Sequence, residues 1–221
     1  MTFYGKLISL FPILNVTLVL SALIGFIVDP SLFYGLETLF FIYLFPLICF
    51  HLHQIICPLN EGESGIGSGY SAWYGTHMIQ NMHITFPMFE RVLRLIPGVF
   101  STWLRLWGSE VGKNIHWTTQ LELADRSLLK IGDNCVFGYN VKISSHVVKL
   151  SSKYGMAVYV KRISIGNNSL IGALTGMAPG VVVEENALVP AQSSLYPDTV
   201  VEGRKKKVKP TQVSEESSEL M

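Results

Sequence analysis

From Ile165 onward an aliphatic side chain recurs at every sixth position without a slip, at Ile165, Ile171, Met177, Val183, Val189, Leu195 and Val201. Four residues after each of the first six stands a small or β-branched one: Ser169, Thr175, Val181, Ala187, Ser193 and Thr199. An earlier block repeats the signature at Ile131, Phe137 and Ile143, with Cys135, Val141 and Val147 as companions and Gly132 and Gly138 directly after the aliphatic. A weaker start at Val111, Trp117 and Leu123 is set off from that block by a two-residue shift, which brings the count to thirteen hexads. Each hexad reads as a short strand with one inward aliphatic residue followed by a tight turn. Three of them close a triangular coil whose backbone groups pair with the coils above and below. The pattern predicts a parallel β-helix of a little more than four coils over residues 109–203. Both ends of such a stack need covering, by the helix before Gly108 and by the tail.

The first 57 residues follow a different pattern. Leu7–Val28 contains no charged residue and is long enough for a helix across the hydrocarbon core, which takes roughly 20 apolar residues. Asp29 and Pro30 break the run, and a second apolar stretch occupies 32–56 with one interruption at Glu37. A transmembrane hairpin is expected over 1–57. Lys6 before it and Arg91, Arg94 and Arg105 after it place both ends on the cytoplasmic side by the positive-inside rule. The expected location is an inner membrane of bacterial type, with the second half of the chain toward the cytoplasm.

Between these parts, Glu61–Gly69 has the composition of a flexible linker. After Pro87, apolar residues at Phe89, Val92, Leu93, Ile96, Phe100, Trp103 and Trp107 recur at helical steps, with Glu90, Arg91, Arg94 and Arg105 mostly off that stripe. Residues 58–108 are therefore expected to form a Gly-rich linker and an amphipathic helix lying in the lipid interface. Residues 204–221 read as a basic, then acidic, disordered tail.

Composition narrows the function. A hydrophobic fraction of 49% with 15% charged residues fits a membrane-attached chain. The net charge of +1, without a basic domain, excludes a nucleic-acid binder. Cys49, Cys57 and Cys135 are too few and too scattered for a disulfide framework or a thiolate metal site. A three-histidine zinc site is not expected either, because the repeats hold only His116 and His146.

His146 is the candidate for chemistry. Three residues after Ile143, it occupies neither the inward nor the companion position, so its ring should lie outside the aliphatic interior. The period then fails from Lys149 to Arg162, an excursion able to wall a cleft. A neutral imidazole there suits proton removal from an attacking hydroxyl or amine, and the oxyanion that follows would need a donor such as a backbone N–H. Cys135 sits at a companion position, where packing explains it.

WLRLWGSEVG, LLKIGDNCVFGYNVKISSH and KRISIGNNSLIGALTGMAPGVVV together resemble the hexapeptide-repeat acyltransferases, nearest to the acyltransferase-like terminal domains of poly-lysine synthetases and related membrane-bound peptide synthetases. The resemblance covers about Trp103 to Gly203. It implies a left-handed β-helix, a homotrimer, and acetyl-CoA or another acyl-CoA as cosubstrate with no metal. It further implies His146 as the base. The anchor points to a lipophilic or membrane-held acceptor, and Asn140 and Ser145 on the same coil are candidates beside it. Lys205, Lys206 and Lys207, where the sequence departs from the family's pattern, could meet the donor's phosphates or anionic lipid headgroups. A membrane-bound β-solenoid scaffold without catalysis is the competing expectation.

Overall fold

The computed structural model describes residues 2–67 and 69–204. Helix α1 (Phe3–Ile8), capped by the Thr2 hydroxyl, leads into α2 (Phe11–Val28). At Asp29–Pro30 the chain reverses, and the Ser31 hydroxyl accepts the Tyr34 N–H to start α3 (Leu32–Leu39). Gly25 permits the return, since a Cβ there would stand 2.6 Å from the Tyr34 ring. Pro46 has no N–H for the carbonyl one turn earlier, and Phe40–Leu44 widens into a π turn before α4 (Phe45–Ile56). Together Phe3–Val28 and Leu32–Ile56 are two stretches long and apolar enough to cross a membrane.

Helix α5 (Ala72–Thr85) lies against α2 and α4. It is followed by two short helices, α6 (Met88–Leu93) and α7 (Val99–Leu106), divided at Pro97–Gly98. The division at Pro97–Gly98 is the one those two residues suggest in sequence, and it is the interfacial placement of the second half that is corrected. The stripe Phe100, Trp103, Leu104 and Trp107 is buried against the end of the coil, with Leu104 and Trp107 fully inaccessible. That stripe caps the stack instead of facing lipid: Trp117 lies between the edge of Phe100 and the face of Phe137, and its Nε1 donates to the Ser101 hydroxyl at 2.8 Å. The expected linker is corrected as well. Gly62–Gly65 forms a strand antiparallel to Gly155–Val160, so half of it is held by backbone hydrogen bonds.

The coil has three parallel ladders. One stacks Val111, Ile131, Ile165, Val183 and Val201; the second stacks Phe137, Ile171 and Val189 above Trp117; the third stacks Leu123, Ile143, Met177 and Leu195. The predicted period and inward set are those observed. At the turns, three residues after the inward one, Asn114, Asn134, Asn168 and Asn186 take φ between 54° and 60° and pass a side-chain hydrogen bond from coil to coil. Asn tolerates that left-handed geometry better than most side chains. Gly138 is required by close approach, because a Cβ there would meet the Ala173 backbone nitrogen at 2.4 Å. Gly138→Ala should cost about 1–3 kcal/mol through forced separation of adjacent coils, read as a lowered thermal midpoint in detergent.

Candidate active site

The third corner of the prism departs from this regularity in two successive coils. Inward partners one coil apart are 18 residues apart at Met177 and Leu195, but 20 apart at Leu123 and Ile143, and 34 apart at Ile143 and Met177. Both insertions follow the same ladder. The shorter brings Asp125 and Arg126 to the corner. The longer begins with Ser144, Ser145 and His146 and leaves the prism as an antiparallel hairpin, His146–Ser151 with Gly155–Val160.

Stacking these insertions makes a dyad. His146 Nδ1 lies 2.7 Å from Asp125 Oδ2. A carboxylate only accepts, so Nδ1 carries the proton and Nε2 is left with its lone pair. The same Oδ2 accepts the Ser145 N–H at 2.9 Å. The Asp125 side chain is 4% exposed and that of His146 17%, so the carboxylate is sealed while the ring reaches the surface. His146 lines a cleft of about 700 Å³ that also touches Met177, Tyr196, Ile84, Pro87 and Arg126. Its ring lies outside the aliphatic prism, as its position in the repeat predicts.

Helix α5 closes the other side. Trp73 packs on His146 at 4.5 Å between ring centroids, and His77 meets it edge-on at 5.3 Å. Burial and the facing His146 hold the His77 pKa below its usual value despite the Asp125 carboxylate, so this second imidazole stays neutral in the working range. One turn on, the Gln80 side-chain oxygen accepts the Arg126 backbone N–H at 2.8 Å. His77, Asp125 and His146 also offer ligand atoms within 4.8 Å of one another, the spacing of a metal site. Oδ2 of Asp125 already accepts two hydrogen bonds, one of them from His146 Nδ1, so an ion held through those atoms would replace the dyad.

Beneath the dyad lies a buried charge network. Arg126 grips Glu90 through Nε at 2.5 Å and Nη2 at 3.0 Å, and Trp103 Nε1 donates to the same carboxylate at 2.9 Å. Burial alone would raise the Glu90 pKa, but the charge and hydrogen bonds of Arg126 outweigh it and hold the group ionised. His83, fully inaccessible beside Trp103, is pushed down to about 4 by burial, aided by Arg126 and opposed by Glu90. An imidazole whose folded pKa lies below its unfolded value stabilises the fold above about 6.5, and that contribution drains as pH falls toward 4. The drop is expected to total about 3 kcal/mol. An acid-unfolding curve measured in detergent should therefore flatten in His83→Phe.

Of the residues expected beside the acceptor, neither takes that part. Ser145 is inaccessible, and its hydroxyl donates to the Leu128 carbonyl at 3.1 Å, which fixes the corner. Asn140 is a turn residue with φ of 52° and does not line the cleft. Cys135 is buried with Sγ 3.2 Å from the Gly166 carbonyl, and burial pushes its thiol pKa up, so packing is its role. Lys205, Lys206 and Lys207 lie outside the described residues. Sequence alone does not bring Asp125, Trp73 or His77 to His146; the two-residue shift after Leu123 is the signal that marks Asp125.

Comparison with known proteins adds the following. Residues 162–196 match the family described as the hexapeptide repeat of succinyl-transferase. Over 90 residues the chain is 31% identical to the galactoside O-acetyltransferase of Escherichia coli (strain K12), covering 40% of this chain and 44% of that enzyme. Over 129 residues it is 26% identical to the delta-poly-L-ornithine synthetase of Acinetobacter baumannii (strain AB307-0294), covering 56% of this chain and 8% of the synthetase. The chain thus spans less than half the length of these curated relatives. Among solved structures, a galactoside acetyltransferase in complex with coenzyme A aligns with 51% of this chain and 74% of its own, at 19% identity and a TM-score of 0.34.

Proposed function

We propose that this hexapeptide-repeat protein is a coenzyme A-dependent acyltransferase, held at a membrane by its N-terminal hairpin, with His146 as general base on a hydroxyl or amine of a membrane-associated acceptor. The observation that carries the reading is the Asp125–His146 hydrogen bond at a corner that opens into the cleft. The galactoside O-acetyltransferase likeness supports acyl transfer, and the apolar hairpin supports a membrane-held acceptor. Left-handedness of the coil and assembly as a trimer come with the family and belong to the same proposal, as do the cytoplasmic orientation and a donor-phosphate role for Lys205, Lys206 and Lys207.

In this mechanism Nε2 of His146 takes the acceptor proton as its oxygen or nitrogen bonds to the thioester carbonyl carbon. Asp125, already bonded through Nδ1–H, stabilises the imidazolium and keeps the ring oriented. When the carbon–sulfur bond breaks, the imidazolium returns the proton to the departing thiolate. The neutral His77 and the indole of Trp73 fix the ring's outer face and exclude water from it.

The test is mass spectrometry of membrane extracts incubated with acetyl-CoA and the wild-type protein or His146→Ala. A species that gains an acetyl mass only with wild type supports the reading. No acylated product, together with no binding of coenzyme A by calorimetry, would leave a non-catalytic scaffold.

A further inference from the structure

The membrane placement proposed above leaves open how the hairpin meets the bilayer, and its packing decides between three arrangements. One side of the hairpin is covered by the rest of the chain over much of its length. Asn15 Nδ2 donates to Met82 Sδ at 3.2 Å, the Tyr43 hydroxyl donates to the Phe89 carbonyl at 2.9 Å, and Phe50 packs on Trp107 at 4.9 Å. Val19, Ile42 and Met82 form one buried cluster with Phe89 against it. The body is therefore seated against the middle of both long helices. Beyond that level only Leu20–Val28 projects on the α2 side. Such a segment is about 14 Å long, half of the roughly 30 Å hydrocarbon core.

An upright hairpin with Asp29 in the far headgroups would draw Phe89, and with it Glu90, Arg91 and Arg94 of α6, to the bilayer centre. A lipid-facing charge there, as at the half-buried Arg91, costs about 2.5–3.5 kcal/mol, whereas Glu90 and Arg94 are buried and paired inside the protein. An upright hairpin stopped halfway avoids this but leaves Asp29 at the centre. It also strands in water the exposed apolar residues nearer the ends, such as Leu14, Ile48, Leu52 and Ile55, the last 79% exposed. A hairpin lying along the surface meets neither difficulty. Apart from Thr17, Ser21 and His51, the exposed residues from Leu7 to Val28 and from Leu32 to Ile56 are apolar, so this face enters the acyl chains while the body remains above. The α5–α6 junction, seated on the hairpin through Phe89, adds exposed Phe86 and Met88, and the α6–α7 connection adds exposed Leu95 and Ile96.

We propose that the hairpin is monotopic: it lies within a single lipid leaflet, with its uncovered face among the acyl chains, and does not carry Asp29–Pro30 to the far side. This rests on the reading of the hairpin as the membrane anchor. It brings the cleft rim at Ile84 and Pro87, which leads to His146, to the lipid interface, where an acceptor enters from the same leaflet.

The test uses the full chain made in sealed microsomes, with a long flexible N-glycosylation acceptor loop inserted between Asp29 and Pro30. The same loop beyond the spanning segment of a carrier protein serves as the modified control. The expected result is a protein that stays in the pellet through alkaline carbonate with its loop unglycosylated. A glycosylated loop on a carbonate-resistant protein overturns the one-leaflet arrangement and leaves the anchor intact. Release by carbonate overturns the anchor reading itself. Recovery without detergent as a discrete soluble oligomer places a second copy on the apolar face and overturns the proposal too.

Discussion

His146→Ala is expected to lower kcat for acyl transfer by about 10²–10⁴-fold, the usual worth of a positioned general base, with little change in thermal midpoint because the ring sits at the surface of the corner. The two replacements of Asp125 should then separate charge from orientation. One oxygen, Oδ2, accepts both the Ser145 N–H and the His146 Nδ1–H. An asparagine that places its amide oxygen there keeps both bonds and loses only the negative charge beside the imidazolium. Asp125→Asn should fall roughly 10–100-fold, in line with the 1.5–3 kcal/mol of a charge-assisted hydrogen bond. Asp125→Ala leaves the buried Ser145 N–H unpaired and frees the ring, so it should match His146→Ala in rate and lose a further 1–3 kcal/mol of stability. Because the pair acts as a unit, His146→Ala combined with Asp125→Asn should be no slower than His146→Ala alone. Wild-type kcat in Asp125→Ala, measured with the acceptor identified by mass gain, would remove the dyad from the mechanism.

The physical reasons why some of this is legible in sequence and some is not are different in each part. The coil declares itself because every hexad repeats the same demand, one inward aliphatic and one left-handed turn. The turn position three residues after the aliphatic holds Asn at 114, 134, 168 and 186, but Arg126, His146, Gly180 and Asp198 along the third corner. That corner is where the ladder accommodates insertions, and a reader of sequence finds it through the failure of the period after Leu123 and again after His146. What the period cannot supply is the partner from outside the repeat. Trp73 and His77 reach His146 across about seventy residues, from a helix whose buried face mixes Gly75, Thr76, Gln80 and His83 with Ile79 and Met82 and so carries no clean apolar stripe. The helix after Pro87 misleads for the opposite reason. Its stripe is clean, but a Trp- and Phe-rich stripe beside arginine suits the end of an aliphatic prism as well as a lipid interface, and sequence does not choose between them.

The second large effect is expected at the network below the site, where Glu90→Gln should destabilise the protein by about 3–5 kcal/mol. Glu90 and Arg126 are 2% and 1% exposed, so the loss of one partner strands the other charge without water. Arg94 adds to the cost: its Nη2 is 3.9 Å from the same carboxylate, and burial, opposed by Glu90, already lowers its pKa to about 10. A neutral amide in place of the carboxylate would therefore leave two buried guanidinium groups without their shared counter-charge. For a chain of this size the midpoint should drop by roughly 10 °C in detergent. Replacing both members, Glu90→Leu with Arg126→Met, should recover part of that stability, because Arg126 is no longer stranded while Arg94 still lacks its counter-charge. The pH dependence has a fixed sign. Glu90 titrates below its unfolded value, so its contribution is present above the ordinary carboxylate range and is lost as pH falls through the lowered pKa. Wild type and the double replacement should thus converge in strongly acidic solution. Arg126 is also the chain neighbour of Asp125 and lines the cleft, so the double replacement separates two roles. Restored stability with wild-type KM confines Arg126 to scaffolding, whereas restored stability with a raised KM makes it part of the acceptor's seat.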